Sequence, residues 1–166
     1  MKLLRSELVS GFKEKLFEIN INDLPSRGIN FSDRLFTCTL TSSTMHFGFQ
    51  ISGCLAITVK YNCDRCLSSF DKYHNLPLNL QFTSEQELLG SHQSEMVYFS
   101  DNDDSIDISH ELADIIGLAR PMKSLCINRC KGLCNLCGIN LNKLSCDCLL
   151  SKDNDVLKAL ENIKLD

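Results

Sequence analysis

Cysteine is the residue type whose spacing could do chemistry in this chain. Six of the ten cysteines, Cys126, Cys130, Cys134, Cys137, Cys146 and Cys148, fall within one short stretch, separated by three, three, two, eight and one intervening residues. Gly132 lies inside one of these loops and Gly138 directly follows another. An isolated pair, Cys63-Asp64-Arg65-Cys66, lies about sixty residues earlier. Two thiolates separated by two residues in a tight loop can reach one tetrahedral ion, and such a loop turns its amides toward the sulfurs. Eight clustered thiols therefore make two sets of four.

The pairing favoured by this spacing is Cys63, Cys66, Cys126 and Cys130 on one ion, with Cys134, Cys137, Cys146 and Cys148 on a second. A regular strand would hold Cys146 and Cys148 roughly 6.5 to 7 Å apart on one face, so sharing an ion requires a bend at Asp147. Mixed pairing is the alternative if the chain stays extended. Gly138 suits the positive φ often needed after such a loop, whereas Leu67 takes that place after Cys66. Zinc is favoured over iron-sulfur ligation by the glycine-containing loops, and two zinc ions are expected. Cys38 and Cys54 lie singly within strand patterns and are assigned to the core.

Other chemistry is thinly supplied. His46, His74, His92 and His110 have no mutual ligand spacing. No glycine-rich phosphate loop, nucleophile elbow or catalytic carboxylate pair occurs. A redox Cys-x-x-Cys wants its first cysteine at a helix N-terminus, while Cys63 ends a strand pattern.

The surroundings of the cysteines set their use. With 166 residues, 43% hydrophobic and 23% charged, the chain can bury one ordinary core. No stretch approaches the roughly 20 apolar residues that would span a bilayer. Arg5, Glu7, Lys13, Glu14 and Lys15 interrupt any leader-like run, so a cytosolic location is expected, where thiols hold metal more often than they pair. The net charge of −4 is segregated. Ser84 to Asp114 holds nine acids and no lysine or arginine, whereas Ile115 to Lys152 sets Arg120, Lys123, Arg129, Lys131, Lys143 and Lys152 against Asp147 alone. Zinc bound by four thiolates carries about −2, which offsets part of that basic surplus.

Short strands are predicted around Phe12 to Ile21, Leu35 to Leu40, Met45 to Ile51, Cys54 to Tyr61, Tyr73 to Phe82 and Met96 to Phe99, with Thr41 to Thr44 as a polar separator. Cys54 to Tyr61 alternates most clearly, and Cys63 and Cys66 then sit at a hairpin tip. Ile108, Leu112, Ile115, Ile116 and Ala119 recur at helical spacing between an Asp107 cap and Pro121. Val156, Leu157, Leu160 and Ile163 suggest a short terminal helix. The expectation is an α+β fold: an antiparallel sheet domain with one packed helix over 1–120, and a cysteine-rich zinc-binding tail over 121–166.

Cys63-Asp64-Arg65-Cys66-Leu67 after a strand, the acidic loop, the helix ending at Pro121, then Cys130-Lys131-Gly132-Leu133-Cys134-Asn135-Leu136-Cys137-Gly138-Ile139-Asn140-Leu141-Asn142 and Cys146-Asp147-Cys148 resemble the YceD family of large ribosomal RNA subunit accumulation proteins. The resemblance covers about residues 50 to 150, and Asn135 stands where members often carry proline. It implies a non-catalytic ribosome-biogenesis factor whose partner is large-subunit ribosomal RNA precursor or early ribosomal proteins. Arg65, Arg129, Lys131 and Lys143, held beside metal loops, are the expected contact residues. A thiol redox enzyme using Cys63 and Cys66, or a zinc-ribbon adaptor between proteins, are the alternatives.

Overall fold

The computed structural model describes residues 1–85, 96–100 and 102–148. The strands are β1 (Lys2–Leu4), β2 (Phe12–Asn20), β3 (Asn30–Phe31), β4 (Leu35–Met45), β5 (Gly48–Asn62), β6 (Ser69–Thr83), β7 (Met96–Tyr98) and β8 (Ser105–Asp107). The helices are α1 (Arg5–Ser10) and α2 (Ser109–Leu118). This is the expected α+β fold, with a mainly antiparallel sheet and one principal helix. The chain forms two compact units, Met1–Tyr61 with Phe70–Met122, and Asn62–Ser69 with Lys123–Asp166.

The first unit holds the hydrophobic core. Its main sheet runs β2-β4-β5-β6-β7, and β3 also pairs with β5. Alternation along β5 turns Phe49, Ile51, Leu55, Ile57, Val59 and Tyr61 inward, and an inward apolar row is what a strand with one wet face must bury. From α2, Leu112, Ala113 and Ile116 join the same core. Asp107 supplies the expected helix start, its Oδ1 accepting the Ser109 amide at 3.0 Å. Burying one such aliphatic side chain stabilises the unit by about 1.5–3 kcal/mol.

Three strand assignments change. Thr41-Ser42-Ser43-Thr44 does not separate two strands, because β4 continues through it, with Thr41 opposite Ser52 and Ser42 opposite Ile51. Threonine favours strands, and its polarity suits the wet face of a hairpin. The turn instead falls at His46 and Phe47, and β5 absorbs both strands predicted between Met45 and Tyr61. Cys38 is fully buried as expected, but Cys54 is exposed, as its place on the face opposite Leu55 requires. Burial pushes the Cys38 thiol up to about 12, so it stays neutral. The expected terminal helix lies outside the described residues.

Backbone approach makes Gly53 a fixed point of the sheet. A Cβ there would stand 2.0 Å from the Thr39 carbonyl oxygen, across the β4–β5 ladder. Gly53→Ala is therefore expected to cost about 2 kcal/mol through forced separation of the strands. A urea midpoint unchanged from that of the unmodified protein would contradict this.

Candidate metal centres

The second unit is built on a turn that occurs twice. After Asn62 the chain leaves β5, and the Cys63 amide donates to the Ser68 carbonyl at 2.9 Å while the Leu67 amide donates to the Cys63 carbonyl at 2.9 Å. The same two bonds recur downstream: Cys134 to Ile139 at 2.8 Å and Gly138 to Cys134 at 2.9 Å. Each loop thus closes on the residue after its second cysteine, which must take a left-handed conformation. Gly138 does so at φ 72°, and Leu67 does so at φ 57°. For leucine that conformation costs about 1–2 kcal/mol, and Leu67 is 68% exposed, so its side chain returns little by packing. Leu67→Gly is accordingly expected to raise stability by up to about 1 kcal/mol, once glycine's greater backbone entropy is subtracted. A lowered melting temperature for this variant would refute that account.

The remaining cysteines are brought to these loops by hydrogen bonds from their neighbours. The Asp64 carboxylate accepts the Ser124 amide at 2.6 Å, and the Asp64 amide donates to the Ser124 carbonyl at 2.8 Å, which fixes the approach to Cys126. The Arg65 guanidinium donates to the Cys130 carbonyl at 2.8 Å. Gly132, at φ 79°, passes close beside Arg65, where an added Cβ would stand 3.1 Å from the Arg65 carbonyl oxygen. Leu133 and Asn140 form an antiparallel bridge. At Asp147 and Cys148 the chain coils into a 3-10 turn, the bend that Cys146 and Cys148 need to face one point.

The sulfurs fall into two groups, Cys63, Cys66, Cys126 and Cys130, and Cys134, Cys137, Cys146 and Cys148, with ligand atoms in each group within 4.8 Å of one another. These are the two sets expected from spacing, and mixed pairing does not occur. Cys63 Sγ lies 3.7 Å from Cys130 Sγ, and Cys66 Sγ lies 3.6 Å from Cys126 Sγ. A tetrahedron with zinc–sulfur bonds of about 2.3 Å has edges of about 3.8 Å, so the arrangement fits one small ion per group. A four-iron cluster gives each thiolate its own iron and spreads the sulfurs farther apart.

The electrostatics of the groups point the same way. Burial opposes charge on Cys63, but the backbone amides of Cys126, Cys66 and Arg65 outweigh it and bring that thiol down to about 6. Cys134 falls to about 6 through the amides of Cys137 and Leu136. Burial and the Cys66 and Cys63 thiols push Cys126 up to about 12. The Cys134 thiol and burial do the same to Cys146. The Ser68 hydroxyl and amide also hold the Cys66 thiol below its usual value, so each group favours some thiolates and resists others, a conflict that a bound divalent cation removes.

Among the described residues, the second unit also lacks a conventional core. Every residue of the hydrophobic cluster belongs to the first unit. The buried apolar residues among 62–69 and 123–148 are Cys63, Cys66, Cys130 and Cys134. Small units with little apolar burial usually draw on metal, disulfides or oligomerisation to fold, and all ten cysteines here are free thiols.

The expected contact residues divide by environment. Arg129, Lys131 and Lys143 are exposed, and Lys131 and Lys143 border one cavity of about 360 Å³ together with Asn142 and Ser145. Arg65 is exposed too, but one arm is engaged by the Cys130 carbonyl. Sequence reasoning missed Asp64, Asn140 and Asn142, whose polar side chains hold the loops, and Ser124, whose backbone amide and carbonyl meet Asp64. The Asn-Leu-Asn run between cysteines was the available signal, since asparagine bonds readily to nearby backbone in turns.

A sheet unit together with a small module of two four-thiol groups, each of which could hold a metal ion, defines a class of two-unit protein. The chain belongs to the family described as large ribosomal RNA subunit accumulation protein YceD, whose profile matches residues 51–164. It is similar to the large ribosomal RNA subunit accumulation protein YCED homolog 1, chloroplastic, of Arabidopsis thaliana, with 46% identity over 43 residues, 26% of this chain and 13% of that protein. The Zea mays protein of the same description is 43% identical over 53 residues, 31% of this chain and 18% of its own length. The matched segments thus span less than a fifth of either relative. No solved structure matches the chain. Among the described residues, no helix is long and apolar enough to cross a membrane.

Proposed function

We propose that the protein is a non-catalytic, cytosolic ribosome-biogenesis factor that supports accumulation of large-subunit ribosomal RNA and binds the RNA precursor directly. In this reading Cys63, Cys66, Cys126 and Cys130 hold one zinc ion and Cys134, Cys137, Cys146 and Cys148 hold another. The ions staple loops that carry Arg65, Arg129, Lys131 and Lys143 to RNA phosphates. The observation that supports binding is the cavity bordered by both Lys131 and Lys143, neither of which has an ion-pair partner among the described residues. Local placement matters more than total charge. Among 62–69 and 123–148, five lysines and arginines stand against Asp64 and Asp147, and two zinc–tetrathiolate centres at about −2 each would cancel that surplus. Phosphate must therefore approach the exposed cations on their own side.

The exposed Leu67, Ile127, Leu136 and Leu144 favour a second reading, an adaptor that docks on early ribosomal proteins. A thiol redox enzyme fits less well, because Cys63 and Cys66 are enclosed with two further sulfurs. Crosslinking in cells followed by sequencing of the bound RNA separates these readings, combined with ribosomal subunit profiles after depletion. Enriched large-subunit precursor reads and loss of the large subunit are expected. Protein-only crosslinks with loss of the large subunit would select the adaptor, and unchanged profiles without ribosomal RNA reads would reject the assembly role.

A further inference from the structure

Asn142 belongs by position to one cysteine group and by contact to the other. It lies between Cys137 and Cys146, so the second group fixes the ends of its segment. Its Nδ2 nevertheless donates to Cys130 Sγ, a sulfur of the first group, at 3.2 Å. Its Oδ1 accepts the Lys131 amide at 2.8 Å, which orients the side chain so that the amide nitrogen faces the sulfur. The segment is tied to the Cys130–Cys134 stretch by Leu141 to Gly132 at 3.0 Å and Cys134 to Ile139 at 2.8 Å. It also reaches the first loop, since Asn140 Nδ2 donates to Ser68 Oγ at 3.3 Å.

We propose that Asn142 couples the two cysteine centres, so that a metal ion in the Cys134 group raises the affinity of the Cys63 group, and the reverse. This rests on the reading that both groups bind metal. An amide donated to a metal-bound thiolate disperses its charge and holds its direction. Here that donor is presented by a loop whose geometry depends on the other centre being closed. Binding linkage then makes the effect reciprocal. Asn142 is a positioning residue: it acts through Cys130 and need not touch the ion.

The test uses the full chain loaded with cadmium, which reports each four-thiolate centre as its own nuclear magnetic resonance signal, and chelator competition to rank affinities. Disabling the second centre with Cys137→Ser and Cys148→Ser is expected to weaken the Cys63 group about 10–100-fold. Asn142→Ala should weaken it similarly and shift the Cys63-group signal. The combined variant should lose little more than either change alone. Asn142→Asp keeps the acceptor for the Lys131 amide but removes the donor to Cys130 Sγ and to Asn140 Oδ1, so it should behave like alanine if that donor carries the coupling, and like the unmodified protein if the accepted Lys131 amide alone is what the residue supplies. Equal affinities in Asn142→Asp and the unmodified protein, or losses that multiply in the combined variant, would overturn the coupling alone. An unmodified protein that takes up no cadmium would overturn the metal reading and the coupling together.

Discussion

Protein purified without chelators is expected to contain two zinc ions per chain, and removing them should unfold the cysteine-rich unit. The expectation follows from what that unit buries. Between 62–69 and 123–148 its buried apolar residues are four cysteines, so apolar burial at about 25 cal/mol per Å² contributes little there. What remains is the free energy of ligation, about 10 kcal/mol or more per site if these centres resemble zinc-finger peptides. Four sulfurs crowded within 4.8 Å also repel once ionised, so without metal the described part of the unit has neither a core nor a way to keep its thiolates together. Elemental analysis should give one zinc for Cys134→Ser and two for Cys54→Ser, because Cys54 is exposed and outside both groups. Hydrogen exchange should show 123–148 losing protection after chelation. Retained protection in the stripped protein, or visible absorption from iron, would reject the assignment.

The parts of the fold that could be read from sequence are those where one local signal fixes the outcome. Alternation from Cys54 to Tyr61 identified a half-buried strand because apolar side chains on one face have no other place to go. The helical spacing from Ile108 to Ile116, closed by Pro121, placed α2 for the same reason. Cysteine spacing placed Cys63 with Cys66 and Cys134 with Cys137, since a two-residue gap permits few geometries, and it favoured the remaining pairing while leaving mixed pairing open at Cys146 and Cys148. What could not be read depends on distant partners. Lys2–Leu4 is a strand because Leu3 pairs with Ile106, and nothing within three residues announces that. Gly53 gives no sign in the sequence that the Thr39 carbonyl lies where its Cβ would stand. The left-handed turn at Leu67 was legible only by analogy with Gly138, because leucine disfavours the conformation it adopts.

Affinity for structured large-subunit RNA is expected to fall about 10²-fold between 50 and 200 mM salt. Four phosphate contacts, through Arg65, Arg129, Lys131 and Lys143, give a slope of about −3 to −4 in log affinity against log salt, according to the form of the RNA. The contacts should carry little base preference, because 62–69 and 123–148 contain no aromatic residue or histidine on which a base could stack. Replacing Arg129, Lys131 and Lys143 together by alanine should flatten the slope by about 2 to 3 while leaving zinc content at two, since each lost phosphate contact removes roughly one unit. Arg65 is left unchanged in this variant because its guanidinium also holds the Cys130 carbonyl, and removing it would mix loss of binding with loss of structure. Filter binding across a salt series, with elemental analysis of the same samples, measures both quantities. A slope near zero in the unmodified protein would exclude phosphate recognition and leave the exposed leucines, and hence a protein partner, as the means of reaching the ribosome. A steep slope unchanged by the triple substitution would move the RNA site off the cysteine-rich unit.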